Sequence, residues 1–361
     1  MAKNRKSNIE WLRIFCMTLI VAYHYAIYSK FTFDNGITIN KMIIQFLSIG
    51  GEIGVNCFIL ISGYFLVDSQ FKTKKVVKII LETVTYSIIF LIMFNVANAE
   101  NITLTEYKKS IMPVTFSLYW FITAYIILYI FSPYINKLLN TLEKSDTIKL
   151  ILMLVVIESI IPTIFNVNRH FSHILWFITL YIMGAYLKRN PIKVDNRKVI
   201  ATSIILYLSI FISILIFDLI SLKIEIFKGN ELYFLKRNSI LTLITSVTIF
   251  LSFVNLKVKE NKIINKIAST MLGVYIIHEN VFVRKILWCK VFKSNLYVSS
   301  NFLIVNAIFS ITFTMIICVL IDLIRRKTIE KVEIKLFDNI SEIFLNTKIC
   351  KKIKKQFNRI K

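Results

Sequence analysis

Cysteine is scarce and follows no pattern. The 361-residue chain has five, with no C-x-x-C and no Cys/His spacing of a zinc site. Neither a disulfide framework nor a cysteine-bound metal is therefore expected. Cys16, Cys57 and Cys318 fall inside apolar runs instead. Acid is also scarce, with 21 Asp and Glu against 45 Lys and Arg and a formal net charge of +24. No G-x-S-x-G elbow with triad partners behind it is present, which excludes the usual layout of a serine hydrolase. No small-x-small cleavage site follows the first apolar run, and Arg13 interrupts that run. It reads as a retained span rather than a signal peptide.

Hydrophobic side chains, by contrast, make up 56% of the chain, and the mean hydropathy is +0.65. Apolar runs near the length of a bilayer crossing recur throughout. Ten candidate spans run roughly over 9–29, 43–67, 76–97, 115–136, 149–166, 173–188, 199–220, 238–256, 267–283 and 299–324. The fifth, sixth and ninth are short. The expected fold is all-α, a polytopic membrane helix bundle of about ten transmembrane helices. No internal repeat is visible.

The basic residues lie between apolar runs rather than on one domain, so the charge argues for membrane topology and against a nucleic-acid partner. With the N-terminus inside, cytoplasmic segments hold 31 Lys and Arg and outer loops 13, which puts both termini in the cytoplasm. Residues 1–324 form the expected membrane domain. Residues 325–361 mix Ile, Leu and Phe with many Lys, the pattern of a basic amphipathic helix lying on the lipids of the inner leaflet. His170-x-x-His173 has the spacing of two metal ligands but lacks a third, so no metal is expected.

The first span, "IEWLRIFCMTLIVAYHY", is unusual for lipid. Arg13 and His24 are eleven residues apart, about three helical turns, so both project from one face roughly 16 Å apart. Glu10 lies one turn before Arg13 and is placed to pair with it. Ionisable groups inside a membrane face the bundle interior and mark a functional path. The ninth span rises to His278 and Glu279 at a depth similar to His24. In "GGEIGVNCFILISGYFL", Gly51 and Gly54 permit close backbone approach and Ser62 offers a hydroxyl.

These features together resemble the integral-membrane acyltransferase family 3, whose members acylate sugars and cell-surface polymers. The resemblance rests on Glu10, Arg13 and His24 in the first span and on Gly51, Gly54, Val55, Phe58, Ser62, Gly63 and Tyr64 in the second. Trp120, Tyr125, Tyr129 and Pro133 follow in "LYWFITAYIILYIFSPYIN", then Gly273, Tyr275 and His278 in "ASTMLGVYIIHEN". It covers most of residues 8–280, in order. Where the family often has paired arginines after the second span, this chain has "FKTKKVVK". Lysine attracts phosphate as a point charge without arginine's bidentate fork.

The resemblance implies transfer of an acyl group, usually acetyl, from acyl-coenzyme A to a hydroxyl of a capsular or other surface polysaccharide, or of a lipid-linked glycan. Its expected setting is a bacterial cell membrane, in keeping with the wealth of Ile, Lys and Asn. His24 is the expected base, with Arg13 and Glu10 completing the catalytic set. Asn56, Ser62, Tyr64, Trp120, Tyr125 and His278 are expected to bind substrate. Arg13, Lys72 and Lys75 are expected to meet the donor, acetyl-CoA. The alternative is a transporter of a polysaccharide intermediate or small solute. Many transporter folds carry paired repeats with matching broken helices, and the glycine-rich stretch 50–63 has no such counterpart.

Overall fold

The computed structural model describes residues 6–33, 36–98, 101–166, 172–225, 229–335 and 337–338. His170 and most of the expected amphipathic tail, residues 336 and 339–361, lie outside them. Among the described residues there is no β-strand. A backbone in hydrocarbon must bond to itself, which leaves helices as the economical way across.

Helix α1 is Ser7–Tyr28. Helices α2 (Ile39–Ser48) and α3 (Gly50–Leu66) are separated by Ile49 alone. Then come α4 (Thr73–Val96), the short α5 (Leu104–Ile111) and α6 (Trp120–Thr141). Helix α7 (Lys144–Val155) passes through a π-helical turn, Val156–Ile160, into α8 (Ile161–Phe165). Next are α9 (His173–Arg189), α10 (Asn196–Ser221) and α11 (Ile240–Val254). A broken rod follows, α12 (Lys262–Ser269), α13 (Met271–Glu279) and α14 (Val281–Ile286), before the long α15 (Leu303–Thr328).

Each of the ten apolar runs is thus helical, and seven segments among the described residues are long and apolar enough to cross a membrane. The expected count of about ten is approximate for a physical reason. The sixth and eighth runs form helices of 17 and 15 residues, and the ninth is interrupted at Thr270 and Asn280. The fifth run, short on paper, reaches 22 residues by joining α7 to α8. Polar residues set the boundaries. Thr38, Ser239, Asn261 and Asn280 each accept a backbone N–H at the start of a helix.

Helix α3 is the spine, packed along α1 on one side and α9 on the other. Gly54 lies against the Cys16 carbonyl, which an added Cβ would approach to 2.8 Å, as the small-residue pattern implies. The α3–α9 seam is tighter still. Gly63 faces the Tyr181 carbonyl and Gly184 faces the Leu60 carbonyl, each with no room for a side chain. Helix α10 lies at the edge, with Ile204, Ile205, Ile212, Ile216 and Leu219 facing outward, as suits a lipid-facing surface.

Buried ion pairs tie the spans together. Asp218 of α10 accepts from Lys41 at 2.9 Å and Gln45 at 2.6 Å, both on α2. Arg325 of α15 meets Glu82 of α4 at 3.1 Å, Asp322 at 3.0 Å and Glu333 at 3.0 Å. Tyr86 of α4 also donates to Asp322.

The glycine seam sets a stability expectation. Gly63→Ala forces a methyl into the Tyr181 carbonyl, and overpacking of this kind costs about 1–3 kcal/mol or more. The melting temperature of the detergent-solubilised variant should fall below wild type, and an unchanged value would show that the seam relaxes freely.

Candidate active site

One face of α1 carries Glu10, Arg13, Met17, Ile20 and His24 in succession. The first four line a cavity of about 350 Å³ bounded by α1, α3, α4, α6, the α12–α13 rod and α15. The cavity is polarised. Around the N-terminal end of α1 it carries Arg13, Lys75, Lys78 and Arg326, with Glu10 and Glu82 among them. Toward the other end its lining is mostly apolar, with Ile20, Val55, Phe121 and Tyr275. Arg13 Nε lies 3.7 Å from Glu10 Oε2, an i,i+3 pair. Ser62 and Tyr125 also line the cavity, although the Ser62 hydroxyl donates its proton to the Phe58 carbonyl at 2.8 Å.

His24 stands one turn beyond Ile20, in a buried polar knot. Its Nδ1 lies 2.8 Å from His278 Nε2 and 3.3 Å from Glu279 Oε2. Tyr28 donates to Glu279 Oε1 at 2.9 Å, and Arg284 reaches the same oxygen at 2.7 Å. His278 Nδ1 is 2.6 Å from the Val274 carbonyl. A carbonyl can only accept, so His278 Nδ1 carries a hydrogen. In the neutral pair His278 Nε2 is then the acceptor and His24 Nδ1 the donor. Glu279 favours the same tautomer. The proton-accepting lone pair of His24 is therefore on Nε2.

Local sequence explains the knot. Helix α13 ends at Glu279 because Asn280 adopts φ −53°, ψ 134°. Asn280 Oδ1 then accepts from Phe282 N–H at 3.0 Å, and its Nδ2 donates to Tyr119 Oη at 2.8 Å. That break turns the chain so that Arg284 folds back onto Glu279.

A third cluster gathers at the start of α3, α6 and α9. Arg237 lies over the Trp120 ring at 4.1 Å, pairs with Glu52 at 2.5 Å, and donates from its terminal nitrogen to His173 Nδ1 at 3.1 Å. Asn56 is fully buried beneath it. Asn56 donates to the Arg237 carbonyl at 2.9 Å and accepts from Trp176 Nε1 at 3.0 Å.

The residues singled out in the sequence thus fall into distinct places. Glu10, Arg13, Ser62, Tyr125 and Lys75 share the cavity, while His24 and His278 meet directly beyond it. Trp120 and Asn56 belong to the Arg237 cluster. Tyr64 packs against Phe250 with Lys188 over its ring, and Lys72 is exposed at the start of α4. Neither Tyr64 nor Lys72 lines the cavity. Lys78, of the "FKTKKVVK" stretch, lines the cavity beside Lys75, while sequence reasoning missed Glu82, Arg326, Arg284, Tyr28 and Arg237. Only Arg284 left a signal, a cation five residues after a buried acid. His173, of the His170-x-x-His173 pair, is engaged by Arg237. Among the described residues no group of three or more His, Cys, Asp or Glu is placed to hold a metal ion.

A family model described as "Acyltransferase domain" matches residues 6–323, which takes in all three clusters apart from Arg326. No curated protein and no solved structure matches the chain.

At the cationic end of the cavity, Glu82 pairs with Arg325, and Asp322 pairs with both Arg325 and Arg326. Arg325→Ala would take the cation from Glu82 and Glu333 and leave Asp322 with Arg326 alone, and breaking a buried pair in this way costs about 3–5 kcal/mol. A large drop in thermal stability is expected. A variant as stable as wild type would mean that the cluster contributes nothing to α4–α15 packing.

Proposed function

The chain belongs to the acyltransferase-domain family and is a membrane acyltransferase. From that premise we propose that it moves an acyl group, acetyl in the simplest case, from acyl-coenzyme A to a hydroxyl of a surface polysaccharide or lipid-linked glycan. The observation that carries this reading is the single face of α1. It joins a cavity ringed by cations at one end to a buried imidazole pair beyond the other. Arg13, Lys75, Lys78 and Arg326 suit the phosphates of coenzyme A. The apolar reach suits its pantetheine arm.

In this reading the cationic end faces the cytoplasm, as the excess of Lys and Arg on that side favours, and His24 lies toward the outer leaflet. His24 Nε2 takes the proton from the acceptor hydroxyl as that oxygen attacks the thioester carbonyl. When the C–S bond breaks, the proton returns to the leaving thiolate. His278 and Glu279 hold Nδ1 protonated and so keep Nε2 basic. Glu279 also stabilises the imidazolium that forms, the role a carboxylate plays beside a histidine in acyl transfer. The residues after α15 are proposed to lie on the inner leaflet as a basic helix, and the host membrane is proposed to be bacterial.

His24→Ala should abolish incorporation of label from acetyl-CoA into glycan in membranes that contain the protein, without reducing its amount. Wild-type incorporation by that variant would rule out His24 as the base. Reporter fusions at the C-terminus should read as cytoplasmic. An external reading would invert the bundle and separate the cationic end from the cell's acyl-CoA.

A further inference from the structure

The proposed transfer needs a donor for the negative charge that gathers on the thioester oxygen, and none of the residues assigned so far supplies one. A side chain in the apolar part of the cavity, near the imidazole pair, could act as that donor.

Tyr275 meets that requirement. It lines the cavity, is 6% exposed, and its hydroxyl is buried without a hydrogen-bond partner. A phenol in that state is unusual, because buried Tyr hydroxyls normally find a partner. Its neighbours explain why none is supplied from within. The ring packs edge-on against Phe121 at 5.6 Å and His278 at 6.2 Å, and neither side chain offers an acceptor toward it. Tyr275 is also one turn before His278 on α13, so it stands between the cavity and the His24 pair.

We propose that the Tyr275 hydroxyl is a catalytic residue, the hydrogen-bond donor that receives the oxyanion of the thioester carbonyl. The proposal rests on the acyl-transfer reading above. The hydroxyl keeps its proton throughout. As the acceptor oxygen adds to the carbonyl carbon, the C=O electron pair moves onto oxygen and the O–H···O⁻ contact strengthens. It relaxes when the carbonyl reforms and the thiolate leaves. Leaving the donor unpaired in the resting protein costs stability and saves the work of breaking an existing bond at the moment of reaction.

Tyr275→Phe removes this one oxygen. Membranes with wild type, His24→Ala and Tyr275→Phe would be compared with labelled acetyl-CoA as donor and the native membrane glycan as acceptor. The variant should lose about 10²–10³-fold in kcat, with the KM for acetyl-CoA little changed. Its melting temperature should match or exceed that of wild type, because no bond in the resting protein is lost. Wild-type kcat in the variant would overturn the proposal. A joint fall in kcat and melting temperature, or an effect confined to KM, would give the hydroxyl a packing or binding role and overturn it equally. A wild type that transfers nothing from acetyl-CoA would instead remove the parent reading, and the proposal with it.

Discussion

A carboxylate in hydrocarbon needs a counter-charge beside it, and this requirement organises the bundle more than any packing motif does. Asp218 binds α10 to α2 through Lys41. Glu52 recruits Arg237 from the segment before α11. Glu82 and Asp322 share Arg325 and so fasten α4 to α15. Glu279 closes the loop between α13 and α14 on Arg284 and holds His24 of α1 from the other side. Lys41–Asp218, Glu52–Arg237, Glu82–Arg325 and His24–Glu279 join segments far apart in the chain, so the apolar helices, interchangeable as far as lipid is concerned, are given fixed neighbours.

The same requirement divides the chemistry between two compartments. The cavity holds Lys75, which lies over the Tyr129 ring, and Lys78, which pairs with Glu330. The imidazole pair sits past the apolar lining, where fixed groups rather than solvent surround it. Two nearby titratable rings with opposite donor roles, set by one carbonyl and one carboxylate, need no metal to define which nitrogen is basic.

The amino-acid sequence makes the ten apolar segments legible, because hydrophobic length is a local property. It also makes the α1 face legible, because helical periodicity alone aligns Arg13 with His24. Partners across the bundle are another matter. Tyr86 and Asp322 are 236 residues apart, and nothing in either neighbourhood points to the other. Asn56 and Trp120 looked like ligand contacts because polar and aromatic residues in a span invite that reading. Their hydrogen bonds and ring stacking are satisfied within the protein by Trp176 and Arg237. Lys72 and Lys75 differ by less than one helical turn, yet only Lys75 points to the cavity, since the start of α4 could be fixed only by folding. The breaks at Thr270 and Asn280 were hidden because the ninth run is apolar on both sides of them.

The paired glycines of α3 and α9 bear on how such a bundle can move. Where side chains interdigitate, two helices can slide by changing rotamers, a small step at a time. Where one backbone rests on another, as Gly63 does on Tyr181 and Gly184 on Leu60, there is no rotamer layer to act as a bearing. Sliding by even one residue would drive a side chain into a carbonyl. Helices α3 and α9 therefore travel as a single rigid body, and any breathing that admits or releases a ligand is left to α4, α6 and α15, whose contacts are made by side chains.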